Sequence, residues 1–141
     1  MSERNVELHR RHIQAFNARD IEALIAYSDS NVELYSTFAV VGGAVYHGYE
    51  GLRQWLRDTE EVWRDKIRVE PGAYFDFGER TLLFNVLAGR GRSSGVEVAM
   101  PVAHVARWRD DLGVYYKSFA HRNDALRDLG VCEDELEPIA P

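Results

Sequence analysis

A histidine lies on the apolar face of a predicted strand, in the stretch PVAHVARW at residues 101–108. Strand alternation places Val102, His104, Ala106 and Trp108 on one face of that strand. Burying an imidazole there costs about 1–3 kcal/mol unless it finds a polar partner. Because its ordinary pKa is near 6.5, an imidazole can also give or take a proton near neutral pH. The pattern predicts either a catalytic or ligand contact by His104, or a core histidine held by a tyrosine or a backbone carbonyl.

The face of the sheet on which the residues before Pro101 lie depends on the backbone at Pro101. Proline cannot donate to a sheet ladder and could mark a β-bulge, which shifts side-chain alternation by one residue. Glu97 would then share the face of His104 and could orient its imidazole. Without a bulge, the two side chains lie on opposite faces.

A second imidazole lies in the apolar arc of a predicted first helix, residues 3–17. His12 falls between Leu8 and Phe16 at helical spacing, and His9 shares the arc. In one interpretation His12 donates a hydrogen bond to a ligand under the helix or exchanges a proton with it. In the other it is a hydrogen-bonded or partly exposed side chain at the flank, which is what we expect for His9.

Two further polar side chains interrupt apolar strands. Asn85, within TLLFNVLA, must find hydrogen-bond partners, either as a structural bridge or as a donor to a ligand. Lys117 alternates with Tyr115 and Phe119, so it lines a pocket if those two aromatic side chains do. The alternative for Lys117 is a place on the solvent side or at the pocket mouth.

Composition excludes several classes of function. The chain has 141 residues, a formal net charge of −6 and only one cysteine, Cys132. An acidic chain is poorly suited to nucleic acid or an anionic membrane as partner, and one cysteine allows no intrachain disulfide. His9, His12 and His104 lack a carboxylate at metal-ligand spacing, so we expect no metal and no cofactor. No segment has the length of a membrane span or the pattern of a leader, so we expect a cytoplasmic protein.

The elements predicted along the chain are three helices followed by several strands. The helices are 3–17, 21–27 and 49–65; the strands are 31–38, 67–77, 81–92, 96–109 and 114–120; a short helix follows at 123–129. The order indicates an α+β domain over residues 1–131, with an acidic tail at 132–141. We expect a cone-shaped, curved antiparallel sheet whose concave face is covered by the three N-terminal helices.

The stretch HIQAFNARDIEALIAYSDSNVELY resembles the opening of the nuclear transport factor 2-like superfamily. YHGYEGLRQWL and the run from GRGRSSG to ALRDLGV resemble its SnoaL-like branch, so the resemblance covers residues 5–131. It implies the cone fold and a pocket enclosed by sheet and helices. It leaves the reaction open, because the fold hosts isomerases, cyclases, dehydratases, epoxide hydrolases and proteins without catalysis.

The resemblance can be carried over residue by residue. His12 stands where ketosteroid isomerases have a helix-one tyrosine that binds the substrate oxygen, and His104 stands at or near their second, acidic oxyanion donor. Leu34 occupies the place of the isomerase base, and a leucine cannot accept a proton. Epoxide hydrolases of the superfamily need Asp-Arg-Asp on the late strands, where VYYKSFAH offers Lys117 and no carboxylate.

Two classes of function follow. In the first, the pocket holds a small, mostly apolar molecule and His104 with His12 performs cofactor-free acid/base chemistry beside a carbonyl, as in a cyclase, dehydratase or isomerase. In the second, the protein binds a ligand without turnover, or pairs as a homodimer through a sheet surface that includes LLFNVLA, Tyr74 or Tyr116. In both, the expected ligand-binding residues are Asn85, Lys117, Leu34, Phe38, Trp63, Phe16, Trp108 and Phe119.

Overall fold

The computed structural model describes residues 3–36, 44–91 and 95–138. Its helices are α1 at Glu3–Ala18, α2 at Ile21–Ala26, α3 at Gly48–Val62 and α4 at Arg122–Leu129, with a short 3-10 turn at Glu133–Glu135. Asp20 caps α2, because its carboxylate accepts a hydrogen bond from the backbone N–H of Ala23 at 3.1 Å. Gly130, with φ of 71°, ends α4 in the left-handed conformation that glycine tolerates.

Six strands form one curved sheet. They are β1 at Ser28–Ser36, β2 at Ala44–His47, β3 at Trp63–Phe77, β4 at Arg80–Gly91, β5 at Glu97–Arg109 and β6 at Leu112–Phe119. Their order is β2-β1-β6-β5-β4-β3. The α+β class is confirmed, but the wholly antiparallel sheet is wrong at one pair. β1 and β6 run parallel because the long intervening chain crosses over to place β6 beside β1.

The two faces of the sheet carry separate cores. On the concave face, Val102, Ala106 and Trp108 of β5 pack with side chains of α1, α2 and α3 such as Phe16. On the outer face, Ala103 and Val105 pack with Phe119 and with the buried side of α4. The alternation predicted for the strand around His104 is therefore confirmed.

Pro101 does not mark a bulge. β4 and β5 pair without a register shift from Arg80 opposite Arg107 to Arg90 opposite Glu97. Glu97 is exposed, lies on the opposite face from His104 and bonds Arg90 at the surface. The expectation that Glu97 orients His104 is wrong, because it needed a parity change that the continuous ladder does not contain.

A bulge does occur in β3, at Pro71-Gly72. Pro71 pairs with Asn85 and Ala73 with Phe84, which leaves Gly72 as the extra residue. A Cβ at Gly72 would lie 2.8 Å from the Phe84 carbonyl oxygen, so glycine is required by the close approach. The bulge bends β3 beside Asn85, one of the candidate site residues.

Two tyrosines expected on an exposed pairing surface are buried. Tyr116 is fully buried and its hydroxyl lies 2.8 Å from Ser28 Oγ. Tyr74 is buried with its ring edge against His9, at 5.5 Å between centroids. Leu82 and Leu83 of the LLFNVLA run are also buried, because helices cover both faces of β4. The prediction that these residues form an exposed surface for homodimerisation is therefore wrong.

None of the helices in the described ranges is both long enough and apolar enough to cross a membrane.

Candidate functional site

A cavity lies between the concave face of the sheet and helices α1 and α3. Its volume is about 60 Å³. Its wall is largely aromatic and aliphatic, from residues such as Phe16, Trp55, Trp63 and Leu87. The apolar wall is typical of small-molecule sites, which use few polar groups to orient a ligand, whereas the volume is below the roughly 300–1,000 Å³ of most such sites.

His12 and His104 both border this cavity. α1 contributes His12 because positions 9, 12, 13 and 16 of the helix all fall on its buried side. β5 contributes His104 from between Val102 and Ala106, on the concave face. The two rings stack with centroids 5.4 Å apart, so the helix and the strand bring their imidazoles to one place in the wall.

A chain of buried hydrogen bonds runs behind His104. Its Nδ1 lies 2.8 Å from Nε2 of His9, and Nδ1 of His9 lies 2.8 Å from Oγ1 of Thr81. Thr81 also accepts the indole N–H of Trp108 at 2.8 Å. His9 and Thr81 are both fully buried, so these bonds replace the water that each polar group loses on folding.

His12 is held by ring contacts rather than by hydrogen bonds. Its imidazole stacks on the Tyr116 ring at 4.0 Å between centroids and is nearly parallel to the Trp55 ring at 6.4 Å. Nδ1 of His12 is buried and has no hydrogen-bond partner in the described part of the chain. The ring is therefore fixed in orientation while part of its polar capacity is unused.

Asn85 also has an unused polar atom in the wall. It is buried, and its Oδ1 has no hydrogen-bond partner among the described residues. Asn85 pairs with Val102, which makes it a diagonal neighbour of His104 on the same face of the sheet. A polar group of a ligand near these side chains could form hydrogen bonds with atoms that have no hydrogen-bond partner among the described residues.

Burial keeps the three imidazoles neutral at pH 7. It lowers the pKa of His104 to about 4. Burial, together with the repulsion between neighbouring imidazoles, holds the pKa of His9 and of His12 well below the ordinary value. The cluster therefore offers neutral hydrogen-bonding groups, since its charged form is disfavoured in apolar surroundings.

Six of the predicted site residues lie together around the cavity. They are His104, His12, Asn85, Leu34, Phe16 and Trp63. Leu34 shows its side chain on the concave face, at the position that the resemblance assigns to the isomerase base. Their placement is what the sequence predicts; their roles remain predictions.

Lys117 and Phe119 do not line the cavity. Tyr116 and Ser118 take the concave face of β6, so strand alternation puts Lys117 and Phe119 on the outer face. The Lys117 ammonium lies over the rings of Tyr35 and Phe119, at 5.5 and 5.0 Å. The expected pocket positions of both residues are wrong, because Tyr116, and not Tyr115, is the inward tyrosine.

The remaining two predicted residues have different outcomes. Trp108 is buried on the concave face but lies behind His9, with its indole N–H bound to Thr81, so it is not part of the cavity wall. Phe38 lies outside the described residues.

Sequence reasoning missed three polar contributors. His9 was expected at the helix flank, although its spacing of three from His12 already placed it in the apolar arc. Thr81 and Ser118 carried no comparable signal, because a hydroxyl in a strand is common. Ser118 pairs directly with His104 across β5 and β6 and lines the cavity.

The described residues contain no group of three His, Cys, Asp or Glu side chains placed to hold a metal ion. In the same described ranges, the cavity wall includes no carboxylate. Hydroxyl, amide and imidazole groups are therefore the polar chemistry that this wall offers.

Comparison with known proteins agrees with this architecture. No curated protein matches the sequence significantly. Similar solved structures include an NTF2-like protein of unknown function from Burkholderia pseudomallei K96243, with 19% identity, a TM-score of 0.74 and coverage of 88% of this chain and 95% of that one. Another is a protein with a ketosteroid isomerase-like fold from Catenulispora acidiphila in complex with trimethylamine, with 17% identity, a TM-score of 0.72 and coverage of 96% and 98%.

A third similar structure is TerC co-crystallised with polyporic acid, with 19% identity, a TM-score of 0.73 and coverage of 89% of this chain and 97% of that one. At these identities the structures show a shared fold. The model of the SnoaL-like domain matches residues 9–116, which contain most of α1, the first five strands and both cavity histidines. The chain belongs to the SnoaL-like domain family, within the NTF2-like fold.

Proposed function

We propose that the cavity binds a small, mostly apolar ligand whose polar oxygen contacts His104 and His12. The observation that carries this proposal is the pair of neutral imidazoles in a largely apolar wall. The apolar wall supplies affinity by burying the ligand skeleton, and the few polar groups supply orientation. Two proteins of this fold, one in complex with trimethylamine and one co-crystallised with polyporic acid, support a small organic molecule as the class of ligand.

The chemistry that fits best is cofactor-free proton transfer next to a carbonyl. Isomerisation, dehydration and aldol-type cyclisation all need a proton removed beside a carbonyl and charge stabilised on its oxygen. We assign His104 as the acid/base group, His12 as the group that polarises the substrate oxygen and Asn85 as a positioning amide. A neutral imidazole suits the oxygen, because it can donate a hydrogen bond at pH 7 without a buried charge.

Binding without turnover is the second candidate. It is favoured by Leu34, which puts an apolar side chain where isomerases of this fold carry their base, and by a described cavity wall without a carboxylate. In this case the same histidines orient a ligand but do not move a proton. The two candidates share a ligand and differ only in the fate of the proton.

Binding is tested by a thermal-shift screen of small cyclic ketones and phenols. We expect a ligand that raises Tm of the wild type and has a smaller effect on His104→Gln. Lys117→Met is the matched control, because Lys117 lies on the outer face and its loss should leave the shift unchanged. Equal shifts in the wild type and His104→Gln would remove His104 from the site.

Proton transfer is tested separately with a ketone found in that screen. The protein and ketone are incubated in D₂O, and loss of the α-proton signal is followed by proton NMR. Protein-dependent exchange that His104→Gln abolishes supports catalysis. Binding without exchange above the buffer rate identifies the non-catalytic module instead.

Homodimerisation through the sheet stays a prediction, and light scattering after size-exclusion chromatography would test it. The outer face offers the partly buried pair Tyr35 and Tyr115, with rings 5.5 Å apart, in place of the buried Tyr74 and Tyr116. A cytoplasmic location and a separate acidic tail at residues 132–141 also stay predictions.

A further inference from the structure

We propose that Thr81 and His9 are positioning residues that fix His104 as a neutral donor, with its Nε2–H directed at the cavity. The hydrogen-bond chain behind His104 has a direction, and that direction follows from the donors and acceptors at its buried end. Trp108, Thr81, His9 and His104 are its four members.

The direction is set first at Thr81. An indole nitrogen can only donate, so Thr81 Oγ1 must accept from Trp108. The hydroxyl still has one hydrogen to donate, and Thr81 is fully buried. Within the described residues, the other partner of Oγ1 is Nδ1 of His9 at 2.8 Å. The hydroxyl hydrogen therefore lies on that bond, and Nδ1 of His9 is the acceptor.

The same donor and acceptor rules then fix which ring nitrogen carries the hydrogen in His9 and in His104. A neutral histidine with an accepting Nδ1 carries its hydrogen on Nε2, so His9 donates to Nδ1 of His104 over 2.8 Å. His104 in turn carries its hydrogen on Nε2. Because Nδ1 points back at His9, Nε2 is the nitrogen left for the cavity that His104 lines.

The opposite direction leaves a buried donor without a partner. Nδ1–H of His9 and the indole of Trp108 would then both donate to Thr81, and the Thr81 hydroxyl hydrogen would have no acceptor among the described residues. A buried donor without a partner is strongly disfavoured. We therefore expect the Nε2–H form of His104 to exceed the Nδ1–H form by about tenfold or more.

The consequence concerns the ligand class. An Nε2–H donor selects a ligand that brings an acceptor oxygen, such as a carbonyl, an enolate or a phenolate, and disfavours a ligand that brings only donors. In this form His104 can give a proton to the ligand through Nε2 but cannot take one there, so it serves as the acid of the proposed proton transfer. This consequence rests on the proposed function, whereas the direction of the chain is a property of the ligand-free protein. The test below uses the ligand-free protein, so its failure would leave the binding proposal standing.

The test is nitrogen-15 NMR of the histidine side chains at pH 7. We expect His104 to show a protonated Nε2 and an unprotonated Nδ1, and His9 to show the same pattern. A scalar coupling across the bond between Nε2 of His9 and Nδ1 of His104 would report the shared hydrogen. A protonated Nδ1 on His104, or a charged ring, would overturn the proposal.

Two nearly isosteric variants test the positioning role of His9. His9→Gln keeps an amide N–H that can donate to His104, so Nε2–H should persist. In His9→Glu the ionised carboxylate offers only acceptors, so once it has lost its proton the hydrogen of His104 should move to Nδ1 and the two resonance types should exchange. An unchanged His104 in a folded His9→Glu protein whose introduced carboxylate is ionised, as read from its carbon-13 shift, would refute the role of His9. If that variant does not fold, the wild-type and His9→Gln spectra still decide.

Discussion

Acidification should unfold this protein in a pH window set by its buried histidines. His9, His12 and His104 are neutral in the folded state, and burial is the main reason that the pKa of each is lowered. In the unfolded chain each has an ordinary pKa near 6.5. Between these values the unfolded state binds protons that the folded state does not, so stability falls as the pH falls.

The magnitude follows from the pKa of His104, which is about 4 in the folded protein. Each proton bound only on unfolding contributes a slope of about 1.4 kcal/mol per pH unit. For His104 alone, the loss between pH 7 and pH 5 amounts to about 2 kcal/mol. His9 and His12 act in the same direction. Because a domain has a total stability of about 5–15 kcal/mol, the combined loss is a large share of it.

The assay is urea unfolding, followed by tryptophan fluorescence, at pH 7, 6 and 5. With a urea slope of about 1–3 kcal/mol per molar, the midpoint should fall by about 1 M or more over this range. His104→Gln should lower the number of protons taken up on unfolding by about one, and the slope of the unfolding free energy against pH should fall accordingly. His121→Gln is the matched control, because it makes the same exchange at an exposed histidine outside the cluster.

A midpoint that does not change between pH 7 and pH 5 would refute the reasoning. So would a His104→Gln protein with the full pH dependence of the wild type, because the slope would then come from groups outside the cluster.

Three substitutions test the packing around the site by thermal or urea unfolding. Gly113→Ala should destabilise by about 1–3 kcal/mol, since a Cβ there would lie 1.9 Å from the Tyr116 hydroxyl oxygen; a neutral effect would mean that the Tyr116 ring is free to move. Tyr116→Phe should cost about 1 kcal/mol by removing the bond to Ser28, and no loss would show that this bond is not formed in solution. Gly130→Ala should cost about 1–2 kcal/mol through its left-handed backbone, although the added Cβ meets no atom; a stabilising effect would contradict the helix end described here.

Much of the fold was predictable from the sequence, because helical periodicity and strand alternation are local patterns. The predicted helices 3–17, 21–27 and 123–129 correspond to α1, α2 and α4 to within one residue at each end. The alternation around His104 also held, because β5 has one continuous register with β4. β2 was not predicted, since its four residues follow a glycine-rich stretch and carry little strand signal.

The site was predictable only in part. β6 has aromatic residues at consecutive positions, so alternation alone could not decide whether Tyr115 or Tyr116 faces inward. The partners of His9 lie 72 and 95 positions away along the chain, and only the folded sheet brings them together. Histidines on apolar faces therefore predicted two side chains that line the cavity, while the hydrogen bonds between His104, His9 and Thr81 required the structure.

A crystal structure with a ligand from the ketone and phenol screen tests the central claim most directly. We predict that the ligand oxygen lies within hydrogen-bond distance of Nε2 of His104 and that the carbon skeleton packs against Phe16 and Trp55. A ligand seated instead in the surface groove beside Arg53 and Arg57 of α3, with the cavity unchanged, would contradict the account.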